Sequence, residues 1–259
     1  MGKKLEGVVA LITGASSGIG EATARVFAEN GAKLVLVARR YERLKLLKEK
    51  LIELYNTQVH LICADVRNYK HLEEEFSNIP EDFKDISILI NNAGLARGLE
   101  KIYEGKIQDW EEMIDTNIKG LLYVTKLVAP ILLQKNSGHI VNIASLAGRA
   151  VYPNGNVYCA TKFAVKALSE AMIIDFNGTN IRITNIDPGL VETEFSEVRF
   201  HGDKERAKKV YLGYQPLTGD DIANIILFCV TLPQHIMIQD ILVTPTAQAT
   251  ATIVSKNFQ

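Results

Sequence analysis

The apolar residues of the chain fall into seven short runs that are rich in valine and isoleucine. The runs occupy residues 8–13, 33–38, 58–63, 86–91, 139–144, 181–186 and 240–245. They are continuously apolar and do not alternate with polar residues, which is typical of strands buried on both faces of a sheet. The pattern therefore predicts seven inner strands.

Segments with helical periodicity separate these runs. They cover residues 19–30, 42–55, 69–77, 110–134, 157–177 and 220–231, and Gly31 and Gly178 stand where C-terminal caps belong. Because strand and helix alternate regularly, the crossovers are right-handed and the sheet is parallel, with helices on both faces. We predict one domain, residues 1–259, with an α/β fold: a Rossmann-type, doubly wound, seven-stranded parallel sheet in a three-layer α/β/α sandwich.

A glycine-rich loop, TGASSGIG (residues 13–20), follows the first predicted strand and opens the first helix. Its glycines permit a tight turn, and the backbone N–H groups at the helix N-terminus can hold a pyrophosphate. The loop predicts a dinucleotide site, and a glycine-rich turn without a ligand is the alternative. The residues assigned to this part of the site are Gly14, Ser16, Ser17, Gly18, Ile19 and Gly20.

The end of the second strand indicates which dinucleotide is bound. It carries Arg39 and Arg40 and no carboxylate. A carboxylate there would bind a ribose 2′-hydroxyl, whereas guanidinium groups bind a 2′-phosphate, so we predict NADP. The alternative is that both arginines are solvated residues at a helix start. Asp65, after the third strand, is predicted to accept a hydrogen bond from the adenine amino group or, alternatively, to cap the next helix.

Composition restricts the possible partners. The 29 basic and 30 acidic residues are interspersed and leave a net charge of −1, which provides no basic surface for nucleic acid. Cys63, Cys159 and Cys229 show neither disulfide spacing nor an accompanying histidine cluster, so we expect free thiols and no metal site. No apolar run is expected to approach the length of about 18 residues that a membrane-spanning helix needs. We therefore predict a cytoplasmic protein without a membrane partner.

Tyr158 and Lys162 are four residues apart, so on a helix both side chains leave the same face, one turn apart. Tyr41 and Lys45 have the same spacing in a charged stretch with no other chemical feature. Spacing alone is thus weak evidence for a catalytic pair. The surrounding motifs have to distinguish a catalytic pair from two neighbours on one helix face.

Several motifs in a fixed order carry a family resemblance over essentially the full chain. They are TGASSGIG, NNAG (residues 91–94), Asn117 in DTNIKG, Ser145 in NIAS, Tyr158 with Lys162, and PGLVET (residues 188–193). With these motifs the chain resembles the short-chain dehydrogenases/reductases. The resemblance implies that Asn117, Ser145, Tyr158 and Lys162 form a catalytic tetrad.

The resemblance also extends the predicted cofactor site. PGLVET is expected to hold the nicotinamide carboxamide and NNAG to line a ribose, although for Asn91 a structural role is equally open. The remaining cofactor residues implied in this way are Val66, Asn92, Ala93, Gly94, Tyr158, Lys162, Pro188, Gly189, Val191 and Thr193.

Elementary chemistry supports the roles assigned to the tetrad. A phenol has a pKa of about 10, and a nearby ammonium such as that of Lys162 stabilises the phenolate of Tyr158. Ser145 is expected to hold the substrate oxygen beside the phenol. Asn117 is expected to connect Lys162 through water to the solvent.

Longer stretches, among them ARRYERL, NNAGLARG and DPGLVETEFSEVRFHGD, are similar to NADP-dependent 3-hydroxy acid dehydrogenases of the serine or allo-threonine type. This resemblance implies a small substrate such as serine, allo-threonine or 3-hydroxypropionate, with malonic semialdehyde in the reverse direction. Ser145 and Tyr158 would contact the substrate hydroxyl, and Arg199 or Arg149 the carboxylate. Each arginine is alternatively a solvated or interface residue.

Three further expectations concern the whole molecule. Residues 194–217 are predicted to form a lid, with a static surface helix as the alternative. The resemblance implies a homotetramer. The alternatives for function are an NADPH-dependent reductase of 3-oxoacyl, sugar or other ketone substrates, and an NADP-binding sensor without turnover.

Overall fold

The computed structural model describes residues 2–257, in which seven strands form one parallel sheet. The strands are β1 (Val9–Thr13), β2 (Lys33–Ala38), β3 (Val59–Cys63), β4 (Ile86–Asn91), β5 (Gly138–Ile143), β6 (Ile181–Pro188) and β7 (Asp240–Val243). Their order across the sheet is β3-β2-β1-β4-β5-β6-β7, and each neighbouring pair is parallel. The chain therefore reverses its direction of winding between β1 and β4, which creates a crevice at the strand ends.

Helices cover both faces of the sheet. They are α1 (Gly18–Glu29), α2 (Tyr41–Tyr55), α3 (Tyr69–Ser77), α4 (Glu81–Lys84), α5 (Ile107–Ile114), α6 (Leu121–Lys135), α7 (Asn156–Asp175), α8 (Phe195–Arg199), α9 (Lys204–Lys209) and α10 (Gly219–Val230). Ala10 and Ile12 of β1 pack in one apolar core with α1, α2 and α10. Val9 and Leu11 pack in a second core with α3, α6 and α7. The predicted Rossmann-type sandwich is confirmed.

The helix predicted over residues 110–134 differs most from its prediction. It begins at Ile107, passes through a π-helical segment, Asp115–Gly120, and continues as α6 to Lys135. Within residues 2–257, Ile107–Lys135 is the one helix whose length and apolar composition would suffice to cross a membrane. Its buried residues pack against the sheet in the second core, as in a core helix of an α/β fold. The absence of a membrane partner stays a prediction.

A buried histidine lies in the middle of the sheet. His139 in β5 is 1% exposed, and its Nε2 is 2.8 Å from the hydroxyl oxygen of Thr184. Because that hydroxyl donates to the carbonyl of Ile238 at 2.6 Å, Nε2 carries the proton and donates to Thr184. Nδ1 has no partner within the described chain. Burial lowers the pKa of His139 from 6.5 to about 3.

We expect the free energy of unfolding to decrease as the pH falls below about 6.5. The unfolded chain then takes up a proton that the folded His139 accepts only near pH 3. At pH 5 this residue alone contributes a slope of about 1.4 kcal/mol per pH unit. Urea unfolding at several pH values, compared between the protein and His139→Gln, measures the difference in slope. Equal slopes would contradict the assignment.

Candidate functional site

A cavity of about 420 Å³ runs along the carboxyl ends of the strands. Most residues predicted for cofactor, substrate and catalysis line it. They are Gly14, Ser16, Ser17, Gly18, Ile19, Arg39, Arg40, Asp65, Val66, Asn92, Ala93, Gly94, Ser145, Tyr158, Lys162, Pro188, Gly189, Val191, Thr193 and Arg199. Gly20, Asn117 and Arg149 do not line the cavity, and each has another set of contacts.

The glycine loop is braced by the NNAG motif. Gly14 has a φ of +66°, and a Cβ there would lie 2.8 Å from Nδ2 of Asn92. A Cβ on Gly20 would lie 2.5 Å from that same atom and from the carbonyl oxygen of Gly14. Asn92 donates from Nδ2 to the carbonyl of Thr13 at 2.9 Å. Gly20 therefore serves close packing of α1 against the loop.

Asn91 has the structural role that sequence analysis left open. It is 4% exposed and donates from Nδ2 to Thr125 and to Asn142, both at 2.9 Å. Its side chain thus links β4 to α6 and β5, away from the cavity wall.

Two arginines stand at the end of the cavity beside the glycine loop. Arg40 donates from Nε to the hydroxyl of Ser16 at 3.1 Å and from Nη2 to Ser17 at 2.7 Å. The Arg39 side chain is half exposed, and its nearest carboxylate oxygens, on Asp65 and Glu112, are 3.7 and 3.8 Å away. Guanidinium and hydroxyl donors that converge beside helix α1 fit a phosphate group.

Asp65 does not cap the following helix. Asn68 does so, because its side chain accepts from the N–H of His71. Asp65 accepts from the backbone and guanidinium of Arg67, with a shortest distance of 2.6 Å. Burial works to raise the pKa of Asp65, but the hydrogen bonds from Arg67 hold it below its ordinary value. The carboxylate therefore remains ionised at the cavity wall.

Ser145, Tyr158 and Lys162 meet near the middle of the cavity. Lys162 is 6% exposed, donates from Nζ to the carbonyl of Ile143 at 2.9 Å, and lies 5.9 Å from the centre of the Tyr158 ring. The Ser145 hydroxyl accepts from the N–H of Ala147 at 3.1 Å and donates to the carbonyl of Pro188 at 3.4 Å. Its proximity acts to lower the pKa of Tyr158. The helix α7 thus presents both residues of the predicted pair to the end of β5.

Burial controls the acidity of the pair. It raises the pKa of Tyr158 above its ordinary value, and Arg199 supplies the leading opposing charge. Burial also lowers the pKa of Lys162 to about 8, while Asp187 acts in the opposite direction. The acidifying role expected of Lys162 stays a prediction, and Arg199 is a cation that sequence analysis did not connect with the phenol.

Asn117 lies behind the cavity wall, in the π-helical segment. Its side chain accepts from the N–H of Leu95 and donates to the carbonyl of Leu95, both at 2.8 Å. A Cβ on Gly94 would lie 3.3 Å from Oδ1 of Asn117 and 3.4 Å from Nζ of Lys162. The absence of a side chain at Gly94 therefore leaves space between these two polar groups.

Arg199 enters the cavity from helix α8. Its guanidinium carbon lies 4.9 Å from the ring centre of Tyr158 and 5.2 Å from that of Phe195. Nη2 donates to the hydroxyl of Tyr152 at 2.7 Å, whereas the buried Nε has no hydrogen-bond partner among residues 2–257. A buried N–H without an acceptor is costly, so this group is suited to an anionic ligand.

Tyr152 is a cavity residue that sequence analysis missed. It lies in the segment between Ser145 and Tyr158, and an aromatic residue there could have been noticed. Its partner Arg199 comes from a distant part of the chain, so the contact itself leaves no local signal in the sequence.

The structure corrects the prediction that Arg149 contacts substrate. Arg149 donates from Nε to Asp187 at 2.5 Å and from Nη2 to Asp240. Its guanidinium is therefore engaged with the carboxylates of Asp187, near the end of β6, and Asp240, the first residue of β7, and it does not line the cavity.

The predicted lid contains two short helices, α8 and α9, in place of the expected loop. Helix α8 is fastened at both ends. Glu194 pairs with Arg40 at 2.9 Å and with Arg43 at 2.6 Å. Arg97 donates to the carbonyl of Val198 at 2.7 Å. These contacts place α8 as a cover over the Tyr158 end of the cavity.

Tyr41 and Lys45 have none of this context. Tyr41 is 50% exposed, and neither residue lines the cavity. The interpretation of these two residues as a surface pair is supported, and the four-residue spacing gains its meaning only from Ser145 and the cavity.

The chain is similar to proteins of known activity over almost its whole length. The family model described as short chain dehydrogenase matches residues 8–204. The NADP-dependent 3-hydroxy acid dehydrogenase YdfG of Salmonella typhi is 46% identical over 245 residues, which cover 94% of this chain and 97% of the relative. The NADP-dependent 3-hydroxy acid dehydrogenase of Schizosaccharomyces pombe is 45% identical over 249 residues, 96% of each chain.

A solved structure gives the same result. The closed form of serine dehydrogenase complexed with NADP⁺ has a TM-score of 0.90 and 42% sequence identity, and the match covers 97% of this chain and 100% of that one. The serine dehydrogenase of Escherichia coli has a TM-score of 0.81 and 38% identity.

Proposed function

The chain belongs to the short chain dehydrogenase family, and on that premise we propose that it is an NADP-dependent dehydrogenase of small 3-hydroxy acids. The observation that carries the substrate class is the buried Nε of Arg199 beside Tyr158, which has no partner among residues 2–257. A carboxylate two carbons from the reacting hydroxyl would satisfy that donor. Relatives named for the same activity support this proposal.

The cavity residues divide along the length of the cofactor. Arg39 and Arg40 would hold the 2′-phosphate, and the backbone N–H groups at the start of α1 the pyrophosphate. Thr193 and the backbone of residues 188–191 would hold the nicotinamide end. NADP, when bound, supplies the acceptor or donor of the hydride.

The protein's own residues would handle the proton. Tyr158 would take it from the substrate hydroxyl, which Ser145 orients. Lys162 has a pKa of about 8 and is therefore mostly an ammonium at neutral pH. Proton exchange between Lys162 and the solvent would use the space beside Gly94, next to Asn117.

The proposal is tested with a substrate panel run with NADP and with NAD. We expect turnover of serine, allo-threonine and 3-hydroxypropionate with NADP, and little turnover of propanol, acyl thioesters, sugars or bulky ketones. Preference for a ketone or thioester would favour the alternative reductase. No change in nicotinamide absorbance with any compound, while NADP still binds, would favour the sensor.

Arg39→Asp is expected to shift the preference from NADP toward NAD. Loss of a charge-assisted contact to the 2′-phosphate should lower kcat/KM for NADP by about tenfold to a hundredfold. The new carboxylate can accept hydrogen bonds from a 2′-hydroxyl, so kcat/KM for NAD should rise. Arg25→Asp is the matched control, because Arg25 pairs with Asp220 on the surface and does not line the cavity. Equal losses with both cofactors would contradict the assignment.

We also propose a homotetramer, built on an apolar surface of the α5–α6 and α7 helices. Ile114, Leu122 and Phe163 on these helices are between 39% and 42% exposed, and Ile174 is 75% exposed. Light scattering on the purified protein tests the subunit number.

The cytoplasmic location stays a prediction, in line with the three cysteines, which are free.

A further inference from the structure

A buried carboxylate lies directly behind the catalytic serine. Asp187, near the end of β6, has 0% exposure. Removing a carboxylate from water is costly unless it is paired and hydrogen-bonded, and a buried ion pair is weak evidence for a role in stability. The partners of Asp187 therefore indicate what its charge does.

Asp187 connects the serine to the sheet. Its Oδ1 accepts from the backbone N–H of Ser145 at 3.2 Å and from Nδ2 of Asn185 at 2.9 Å. Its Oδ2 accepts from Nε of Arg149 at 2.5 Å. Both carboxylate oxygens thus accept from specific donors.

The hydrogen-bond ladder between β5 and β6 explains this arrangement. Ile143 pairs with Ile186, and the N–H of Ala144 donates to the carbonyl of Ile186 at 2.8 Å. The N–H of the next residue, Ser145, donates to the Asp187 side chain and not to a strand carbonyl. Ser145 then accepts from Ala147 and caps the turn that follows. The carboxylate thereby fixes the point at which the serine leaves the sheet.

The charges around Asp187 come from three elements. Arg149 follows the Ser145 turn, Asp240 belongs to β7, and Lys162 and Lys166 belong to α7. Lys166 lies 3.8 Å from Asp240 and does not line the cavity. Asp187 favours the ammonium form of Lys162.

We propose that Asp187, with Arg149 as its counter-ion, is a positioning residue for the reaction: it fixes the Ser145 backbone and supplies a negative charge near Lys162. The inference rests on the proposed function in one respect, the use of Ser145, Tyr158 and Lys162 as the reacting groups. It does not depend on which alcohol is oxidised.

The experiment measures kcat for oxidation as a function of pH, with the best substrate of the panel whatever its class. Asp187→Asn keeps an acceptor for the Ser145 N–H but removes the charge. We expect less than a tenfold loss of kcat at the plateau and an alkaline midpoint at lower pH, because without the Asp187 charge Lys162 loses its proton at lower pH. Asp187→Ala also removes the acceptor, so we expect the same shift with at least a tenfold loss of kcat. The KM for NADP should not change in either variant.

Two further variants keep the test decisive. If Asp187→Asn does not fold, the double variant Arg149→Met with Asp187→Asn removes both members of the ion pair, so that no arginine is left without its partner. The same shift of the midpoint to lower pH is expected in the double variant. Asp220→Asn disrupts the exposed Arg25–Asp220 pair and should leave the profile unchanged. An unshifted midpoint in a folded Asp187 variant would overturn the inference. Failure of the wild type on 3-hydroxy acids, with turnover of another alcohol, would overturn only the proposed substrate.

Discussion

Tyr158→Phe should lower turnover of 3-hydroxy acids by a hundredfold or more and leave the Kd for NADP within about twofold of the wild-type value. The phenol is the proposed group for proton transfer, and such groups contribute about a hundredfold to ten-thousandfold to a rate. Phenylalanine keeps the ring that packs 5.5 Å from Phe195 and 4.9 Å from the Arg199 guanidinium. The cavity should therefore keep its shape.

Initial rates and fluorescence titration of NADPH separate these two effects. Tyr41→Phe is the matched control, because Tyr41 also has a lysine one helical turn later but lies on the surface. Its turnover should equal that of the wild type. Undiminished turnover in Tyr158→Phe would contradict the proposed mechanism. A parallel loss of NADP binding would mean that the variant had damaged the site as a whole.

Arg199→Ala should lower kcat/KM for 3-hydroxy acids by about a hundredfold, mainly through a higher KM. A hydrogen bond to a charged group contributes about 1.5–3 kcal/mol, and the Nε of this arginine is buried. Arg199 also lowers the pKa of Tyr158, so its loss should move the oxidation profile of every substrate to higher pH. The contribution of the substrate carboxylate is therefore measured by how much more kcat/KM falls for an acid than for an alcohol of the same length.

Kinetics with 3-hydroxypropionate and with propanol provide this comparison. Arg206→Ala is the control in the same lid, because Arg206 stacks on Phe200 at 4.2 Å and lies outside the cavity. Equal losses of kcat/KM for the acid and the alcohol would mean that Arg199 acts only through its charge on Tyr158 and does not bind the carboxylate. Arg199→Lys should recover only part of the activity, since an ammonium lacks the forked geometry of a guanidinium.

The elements of the fold were predictable because their signals are local. Continuous apolar runs marked the strands to within about two residues, and the glycine loop marked the cavity. The π-helical segment was not predicted, since its residues differ little in character from those of an α-helix. The lid helices α8 and α9 are short and highly charged, so neither has a measurable apolar periodicity.

The site could be predicted only in part, for a related reason. Tyr158 and Lys162 share one helix, so their spacing is visible in the sequence. The contacts of Arg199 with Tyr152 and of Arg149 with Asp187 depend on which segments become neighbours after folding. Either arginine could bind a carboxylate by its chemistry, and Arg149 is instead paired with Asp187, near the end of β6, and Asp240, the first residue of β7.

The π-helical segment Asp115–Gly120 also limits how the length of this chain can change. A π turn holds one more residue than the corresponding α turn, so removing one residue between 115 and 120 would let the helix close as a regular α-helix. Every side chain from Leu121 to Lys135 would then be rotated by about 100° relative to α5. Asn117 would lose its place beside Leu95, and apolar residues of α6 would turn from the sheet toward water. Deletions should therefore be far less acceptable at these six positions than in the surface turns that join neighbouring elements.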